Sequence, residues 1–344
     1  MNKVLSIVVP SYNMEAYLSK CLGSLVIGDN EFQQKLDVIV VNDGSKDRTS
    51  EIAHGFEVKY PGVFRVIDKP NGNYGSCINA ALPVAEGKFI KVLDADDSFD
   101  ESGFVRFVKY LDTCDADLVI SDYDVVDEDG NVTEQRTYDF PTDKILSLKE
   151  FGATSRYLSM HAYTYRTDMI RSTGYKQLEG VSYSDSEWIL LPLVGVRDIA
   201  YCSGTVYQYL RGRVGQTMEV AHISKNFWMR ASLALDMLRQ FEHMKSAASP
   251  MAIDYLTPRL TNVVAGVYRG GIFGFCGRPV TLNLFDFDVN LKKDFPEFYD
   301  AVASETYSDR IPYRFIRSWR NKSMSRLLLI AFCKLYSCIV SRFG

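Results

Sequence analysis

Lys88-Phe89-Ile90-Lys91-Val92-Leu93-Asp94-Ala95-Asp96-Asp97 is an apolar run that ends in three carboxylates. It reads as a strand that delivers acids to the end of a sheet. Asp94 and Asp96 are two apart, so an extended backbone would point both side chains the same way. Hard oxygen donors placed side by side suit Mg²⁺ or Mn²⁺, which take few protein carboxylates and keep positions for substrate phosphates. The plain alternative is an acidic turn that closes a strand.

Working outward, the stretch is the fourth of five β-rich runs: Leu5–Val9, Leu36–Val41, Phe64–Ile67, Phe89–Leu93 and Asp117–Ser121. Helical patterns separate them near 15–27, 46–59, 76–86 and 101–112. This alternation predicts an α/β fold, a mostly parallel sheet with helices on both faces. Ligands of such sheets sit beyond the carboxyl ends of the strands, so the segments that follow strands are the ones to read for function.

Pro10-Ser11-Tyr12-Asn13 follows the first strand. Ser11 and Asn13 can cap the next helix, or the loop can touch a nucleotide base. Asn42-Asp43-Gly44 follows the second; it is good turn chemistry, yet Asp43 leaves the sheet where its carboxylate could accept an N–H from a uracil ring. Lys69-Pro70-Asn71-Gly72-Asn73-Tyr74-Gly75-Ser76 follows the third, with glycines that permit close backbone approach and a helix start behind them. It is neither a dinucleotide fingerprint nor a Walker loop. After the fifth run, Asp122 and Asp124 lead to a turn at Glu128–Asn131 and read as a solvated edge.

Between 140 and 222 the alternation weakens, with strand-like runs at Met160–Arg166 and Ala200–Tyr209. Ser184 and Glu187 have capping-box spacing, with Asp185 in the first turn of the helix. Spacing alone favours the cap; the sharper reading makes Asp185 a general base, and a cap would hold it in place. Tyr209-Leu210-Arg211-Gly212-Arg213 opens a basic loop that either folds over a diphosphate or lies in solvent. His222 is a metal ligand or a structural residue. From about 223 the patterns are helical, which divides the chain into 1–222 and a helical region 223–344. Arg314, Arg317, Arg320, Lys322 and Arg326 flank the apolar Leu327–Val340, a pattern that suits either an anionic membrane surface or a helix on the protein's own core.

The 344 residues are 47% hydrophobic and 24% charged, an ordinary globular balance. A net charge of −4 gives no basic field for nucleic acid. Seven scattered cysteines without a C-x-x-C pair argue for a reducing cytoplasm and against a zinc or disulfide framework. Residues 4–10 are too short for a signal-peptide core, and no run reaches the ~18 apolar residues of a membrane span. The sequon at Asn131 would go unused in a cytoplasmic protein.

Taken in order, S-I-V-V-P-S-Y-N, V-I-V-V-N-D-G-S-K-D and G-K-F-I-K-V-L-D-A-D-D resemble the three opening segments of the family 2 glycosyltransferases, inverting enzymes of the GT-A fold. The likeness covers about residues 3–220. Asn71-Gly72-x-x-Gly75-Ser76-x-Ile78-Asn79 resembles a bacterial branch tied to surface-polysaccharide assembly. The resemblance implies a UDP-sugar donor, a saccharide or lipid-linked acceptor and Mn²⁺ or Mg²⁺. Asp43 would hold the uracil, Asp94 the ribose or diphosphate, Asp96 the metal, and Asp185 would be the base. Pro10, Ser11, Tyr12, Asn71, Gly75, Ala95, Arg211 and Arg213 would complete the donor site. One departure stands out: the family's Glu-Asp is Ser184-Asp185 here. The expected location is the cytoplasm, with the last helix touching the inner face of the membrane.

Three rivals remain. A sugar-nucleotide pyrophosphorylase would need a Gly-rich, Arg-containing loop after the first strand, where Pro10–Asn13 stands. A phosphohydrolase would carry its D-x-D on the first strand rather than the fourth. An inactive nucleotide-binding scaffold would bind UDP without turnover.

Overall fold

The β-branched runs form strands and the turn residues between them start helices. A computed structural model describes residues 2–154, 158–182, 184–213, 220–276, 278–304 and 314–322. The first part runs β1 (Leu5–Ser11), α1 (Leu18–Gly23), α2 (Asn30–Gln33), β2 (Leu36–Asn42), α3 (Thr49–Lys59), β3 (Phe64–Asp68), α4 (Asn73–Ala81) and β4 (Phe89–Val92). It continues through β5 (Ser98–Phe99), α5 (Glu101–Thr113), β6 (Leu118–Val126), β7 (Val132–Arg136), β8 (Leu146–Ser147), α6 (Leu148–Thr154), β9 (Tyr163–Arg166), α7 (Thr167–Ser172), α8 (Asp185–Leu190) and β10 (Asp198–Leu210).

These strands share one sheet of order β3-β2-β1-β4-β9-β6-β10-β5, with β7 on β6 and β8 on β10. β3, β2, β1 and β4 are parallel, whereas β9 lies antiparallel to both β4 and β6. The expected parallel sheet therefore turns mixed beyond β4. Order reverses at β1, between β2 and β4, which is where a doubly wound sheet opens a crevice.

Alternation along the strands sorts the core into two faces. Ile7, Val9, Val38 and Val40 join Leu18 and Leu22 of α1, Ala53 of α3 and Phe104 and Phe107 of α5 in one buried cluster. Val8 and Ile39, also fully buried, lie by alternation on the other face, where α4 packs on β1 and β2. α5 shows how the sequence encodes its helix: Asp100 caps it by accepting from Gly103 N at 2.7 Å. Phe104, Phe107, Val108 and Leu111 then fall on one buried stripe.

Two expectations are corrected here. Met160–Ala162 is a 3-10 turn, and the strand begins only at Tyr163. Asp122 and Asp124 are not a solvated edge but buried residues inside β6, between β9 and β10. β10 is bulged against β6 between Cys202 and Thr205, with Gly204 at φ +92°. Asp122 accepts from Tyr201 Oη (2.8 Å) and Gly204 N (2.7 Å), and Asp124 from Thr205 Oγ1 (3.0 Å). Asp122 thereby satisfies the Gly204 N–H at the bulge, and both acids are paired with neighbouring hydroxyls.

The described residues fall into two compact units, one within 1–214 plus 243–255 and the other within 215–242 plus 256–322. The second contains α9 (Val220–Lys225), α10 (Phe227–Met244), α11 (Pro250–Phe273), α12 (Leu284–Asp294), α13 (Pro296–Val302) and α14 (Arg314–Arg320), with α10 and α11 each partly in the first unit. Its polar centre is Arg320, which donates to Asp288 Oδ1, Tyr268 Oη and the Tyr299 carbonyl, each at 2.7 Å. No helix among the described residues is long and apolar enough to cross a membrane. The segment Leu327–Val340 and the side chain of His222 lie outside them.

Candidate active site

The carboxyl ends of β1, β2 and β3 are laced together. Register places Ser11 opposite Asn42, and the Ser11 carbonyl accepts from Asp43 N at 2.9 Å. Asn13 donates its N–H to Ser45 Oγ (3.0 Å) and accepts from Lys46 N (2.8 Å). Ser11 and Asn13 therefore do not cap α1, whose N-cap, Tyr17, makes no side-chain bond. Parallel pairing brings the second loop closer to them than the helix start. Pro10 is partly buried, Ser11 buried, and Tyr12 46% exposed.

Asp43 is buried, and its Oδ1 accepts from Lys69 Nζ (2.6 Å), Gly72 N (2.9 Å) and Ser76 Oγ (3.4 Å). Asn71 Nδ2 donates to the Asp43 carbonyl at 3.0 Å. Among the described residues no hydrogen bond falls on Asp43 Oδ2. Gly75 is not held open for a ligand: a Cβ there would stand 2.4 Å from the Leu178 carbonyl. The close approach it permits is to protein.

β4 stops at Val92, and Asp94–Asp97 is a turn closed by Asp97 N on the Asp94 carbonyl at 3.0 Å. Asp94 and Asp96 therefore lie on a turn, not on alternate positions of a strand. Asp97 is buried and pinned by β10, accepting from Tyr207 Oη (2.5 Å) and Leu210 N (2.7 Å). The Tyr207 oxygen in turn accepts from Asp94 N at 3.1 Å. Asp94 Oδ1 takes the Tyr74 hydroxyl at 2.8 Å, and Asp96 Oδ2 takes Arg213 Nε at 2.5 Å. Ala95 between them is buried.

Below the turn, Lys91 is wholly buried in β4 and donates to the carbonyls of His161 (2.6 Å) and Tyr163 (3.3 Å) and to Thr164 Oγ1 (3.3 Å). Burial pushes its amine down to about 7. Burial, with Lys91 and Arg211 nearby, holds the His161 imidazole down at about 3, so it is neutral. Its ring stacks on Tyr209 at 4.5 Å.

Asp185 is the first residue of α8 and is exposed. Burial, then the carboxylates of Asp96 and Asp185, push Asp94 up to about 8 against the Tyr74 hydrogen bond and Arg213. Asp96, Asp185 and Arg213 therefore each act on Asp94, and Tyr74 feels both Asp94 and Asp185. Arg211 stands apart, exposed and paired with Glu134 at 3.4 Å. The expected capping box is absent. Ser184 Oγ has no hydrogen-bond partner among the described residues, and the Glu187 carboxylate accepts from Leu178 N at 3.0 Å. Glu187 is buried, and it takes the partly buried Leu178 amide instead of the Ser184 N–H.

The donor set fits a divalent cation. One ligand atom from each of Asp94, Asp97 and His161 lies within 4.8 Å of the others. Burial first, and then the neighbouring carboxylates, disfavour the Asp94 charge, and a neutral imidazole is a competent ligand. Sequence reading had not singled out Tyr74, Asp97, His161 or Tyr207. Only Lys91, a charge inside an apolar run, carried a signal. The cavity of about 680 Å³ beside Lys3, Glu86, Lys88 and Arg166 contains none of these residues.

A family model described as Glycosyl transferase family 2 matches residues 6–172, from β1 through α7. An uncharacterized glycosyltransferase of Mycoplasma genitalium, MG025, is 37% identical over 108 residues, covering 31% of this chain and 36% of that protein. The minor teichoic acid biosynthesis protein GgaB of Bacillus subtilis is 29% identical over 146 residues, 42% of this chain and 16% of that one. The match thus spans about a third of the first relative and a smaller part of the second. The structure of S. aureus TarS 1–349 in complex with UDP-GlcNAc superposes with a TM-score of 0.59 at 20% identity, over 90% of this chain and 82% of that chain. Strand order, the sequence of loop motifs and the family model agree: residues 6–172 form a glycosyl transferase family 2 domain, and the chain has the GT-A fold.

Proposed function

We propose that the chain is a metal-dependent, inverting glycosyltransferase that moves a sugar from a UDP-sugar to a saccharide or lipid-linked acceptor in bacterial cell-surface polysaccharide synthesis. The observation that carries this reading is the acidic turn Asp94–Asp97 at the carboxyl end of β4, where Asp94 and Asp97 with His161 each place a ligand atom within 4.8 Å of the others. A relative named for teichoic acid biosynthesis and a UDP-GlcNAc complex of a protein of the same fold support the substrate class.

Asp43 Oδ2 accepts the uracil N–H, beside Pro10, Ser11, Tyr12 and Asn71. Asp96 with Asp94 would hold Mn²⁺ or Mg²⁺, Asp97 and His161 being the neighbouring donors. A bound divalent ion supplies neutralisation of the charge that develops on the departing diphosphate. Arg213, now on Asp96, adds charge-assisted hydrogen bonds to the same phosphates, and Arg211 is the second candidate. Asp185 removes the proton from the acceptor hydroxyl as that oxygen attacks the anomeric carbon from the face opposite the nucleotide. One displacement inverts the configuration. The cytoplasmic location and the membrane contact of 323–344 rest on composition, and deleting 323–344 should move the protein from membrane to soluble fraction.

The test is thermal denaturation with UDP, with and without Mn²⁺. UDP should raise the melting temperature only when the ion is present, and Asp96→Ala should abolish the effect. Equal stabilisation of wild type and variant would remove Asp96 from the ion site. Metal-dependent UDP binding with no turnover across a panel of UDP-sugars would favour a scaffold instead.

A further inference from the structure

Asp185 begins α8 without a side-chain cap, because Ser184 Oγ bonds to nothing among the described residues. Something else must fix where that carboxylate stands. The segment Gln177-Leu178-Glu179-Gly180, just upstream, is fastened on both sides. On the α8 side, the buried Glu187 accepts the Leu178 N–H at 3.0 Å, two residues beyond Asp185. On the α4 side, Asn79 clamps Gln177 through both backbone groups: its Oδ1 accepts from Gln177 N at 2.8 Å, and its Nδ2 donates to the Gln177 carbonyl at 2.9 Å. The same Nδ2 reaches Glu179 Oε1 at 2.9 Å. Gly180 N donates to the Gly72 carbonyl at 2.8 Å. Gly75 lets the segment lie flat on α4, since any Cβ there would meet the Leu178 carbonyl at 2.4 Å.

We propose that Asn79 is a positioning residue for Asp185: by gripping Gln177–Gly180 against α4 it sets the place of the α8 N-terminus. Gly75 serves the same end by leaving room. The glycine-rich stretch after β3 then works on the acceptor side of the reaction as well as beside the nucleotide. This rests on the reading of Asp185 as general base. An amide is suited to the task, because it matches one backbone N–H and one backbone C=O at once; alanine offers neither.

The experiment is a kinetic double-mutant cycle of Asn79→Ala and Asp185→Asn, with Gly75→Ala as an independent second variant. Misplacing a catalytic group by about 1 Å can cost ~10²-fold, so kcat of the Asn79→Ala enzyme should fall at least about 10-fold. The donor KM and the metal-dependent UDP stabilisation should stay within about twofold, since Asn79 makes no contact with Asp43 or the Asp94–Asp97 turn. Gly75→Ala should lower kcat as well, since its Cβ would push on the Leu178 carbonyl. In the Asp185→Asn background, Asn79→Ala should cost nothing further, because the group it positions is gone. An equal loss in both backgrounds, or a loss of UDP stabilisation with kcat unchanged, would overturn the proposal. If Asp185→Asn itself turns over normally, the base assignment fails; if that variant is slow while Asn79→Ala and Gly75→Ala are as fast as wild type, only the positioning role fails.

Discussion

The two halves of the sheet furnish the site in different ways. In the parallel half, β3-β2-β1-β4, each strand releases a short loop, and the loops bond to one another across neighbouring strand ends. Asp43, Asn71 and Tyr74 reach their places within a few residues of a strand or helix end. In the mixed half, support comes from far away in the chain. Asp97 is held by Tyr207, 110 positions on, and Lys91 fixes the carbonyl of His161, 70 positions on. One half carries short interlocked loops; the other braces them and brings Asp185 on the segment between β9 and β10. On the proposed function, the donor side would be built locally, whereas the reacting end would depend on tertiary packing.

That contrast can be broken by substitution. The largest effect is expected at Asp185→Asn, where transfer should fall ~10²–10⁴-fold with UDP binding retained, read from kcat and from thermal shift. A variant that loses UDP binding along with turnover would place Asp185 on the donor side and erase the distinction. Asp43→Ala should raise the donor KM about 10–100-fold, the worth of a hydrogen bond to a charged group, and affect kcat far less. Tyr207→Phe should destabilise the fold by about 1–3 kcal/mol, because the buried Asp97 loses a donor, and a denaturant titration would measure it. Tyr74→Phe, in the parallel half, should cost only about 0.5–1.5 kcal/mol.

The smallest effects sharpen the comparison through pH. Lys91 has its amine lowered in the fold to about 7, so the folded chain binds fewer protons than the unfolded one between about 7 and the ordinary lysine value of 10.5. Its contribution is full above that range and is lost as pH falls through it. Asp94 has the opposite sign. Raised to about 8, it favours the fold below the ordinary carboxylate value of 3.8, and that contribution is lost as pH rises through about 8. Lys91→Met should remove the alkaline rise in melting temperature, and Asp94→Asn should remove the fall between about 4 and 8. Unchanged slopes would mean that neither group carries the stated shift.

The order of strands, the helices between them and the acids at the strand ends were legible because each is a local pattern. Alternation and turn residues report on a few neighbours at a time. What failed was the step from pattern to partner. Asp122 and Asp124 read as surface residues because nothing local shows a bulge in β10, some 80 positions away. Ser184-x-x-Glu187 had capping spacing, but Glu187 is drawn to the Leu178 amide, a choice set by burial. Asp94 and Asp96 lie on a turn instead of a pleat, and Asp97 with His161, not Asp96, places its ligand atom beside Asp94. Arg213 reaches the acids and Arg211 does not, which a shared Gly-punctuated loop could not announce.

Gly72 carries a last consequence. Its amide hydrogen rests on Asp43, and its carbonyl receives the amide of Gly180. A side chain at this position would run into Ser76 Oγ at 2.7 Å and Lys69 Nζ at 3.2 Å. The Asp43 carboxylate and the segment that leads to α8 thus lean on opposite sides of one peptide residue, and a replacement there would disturb both.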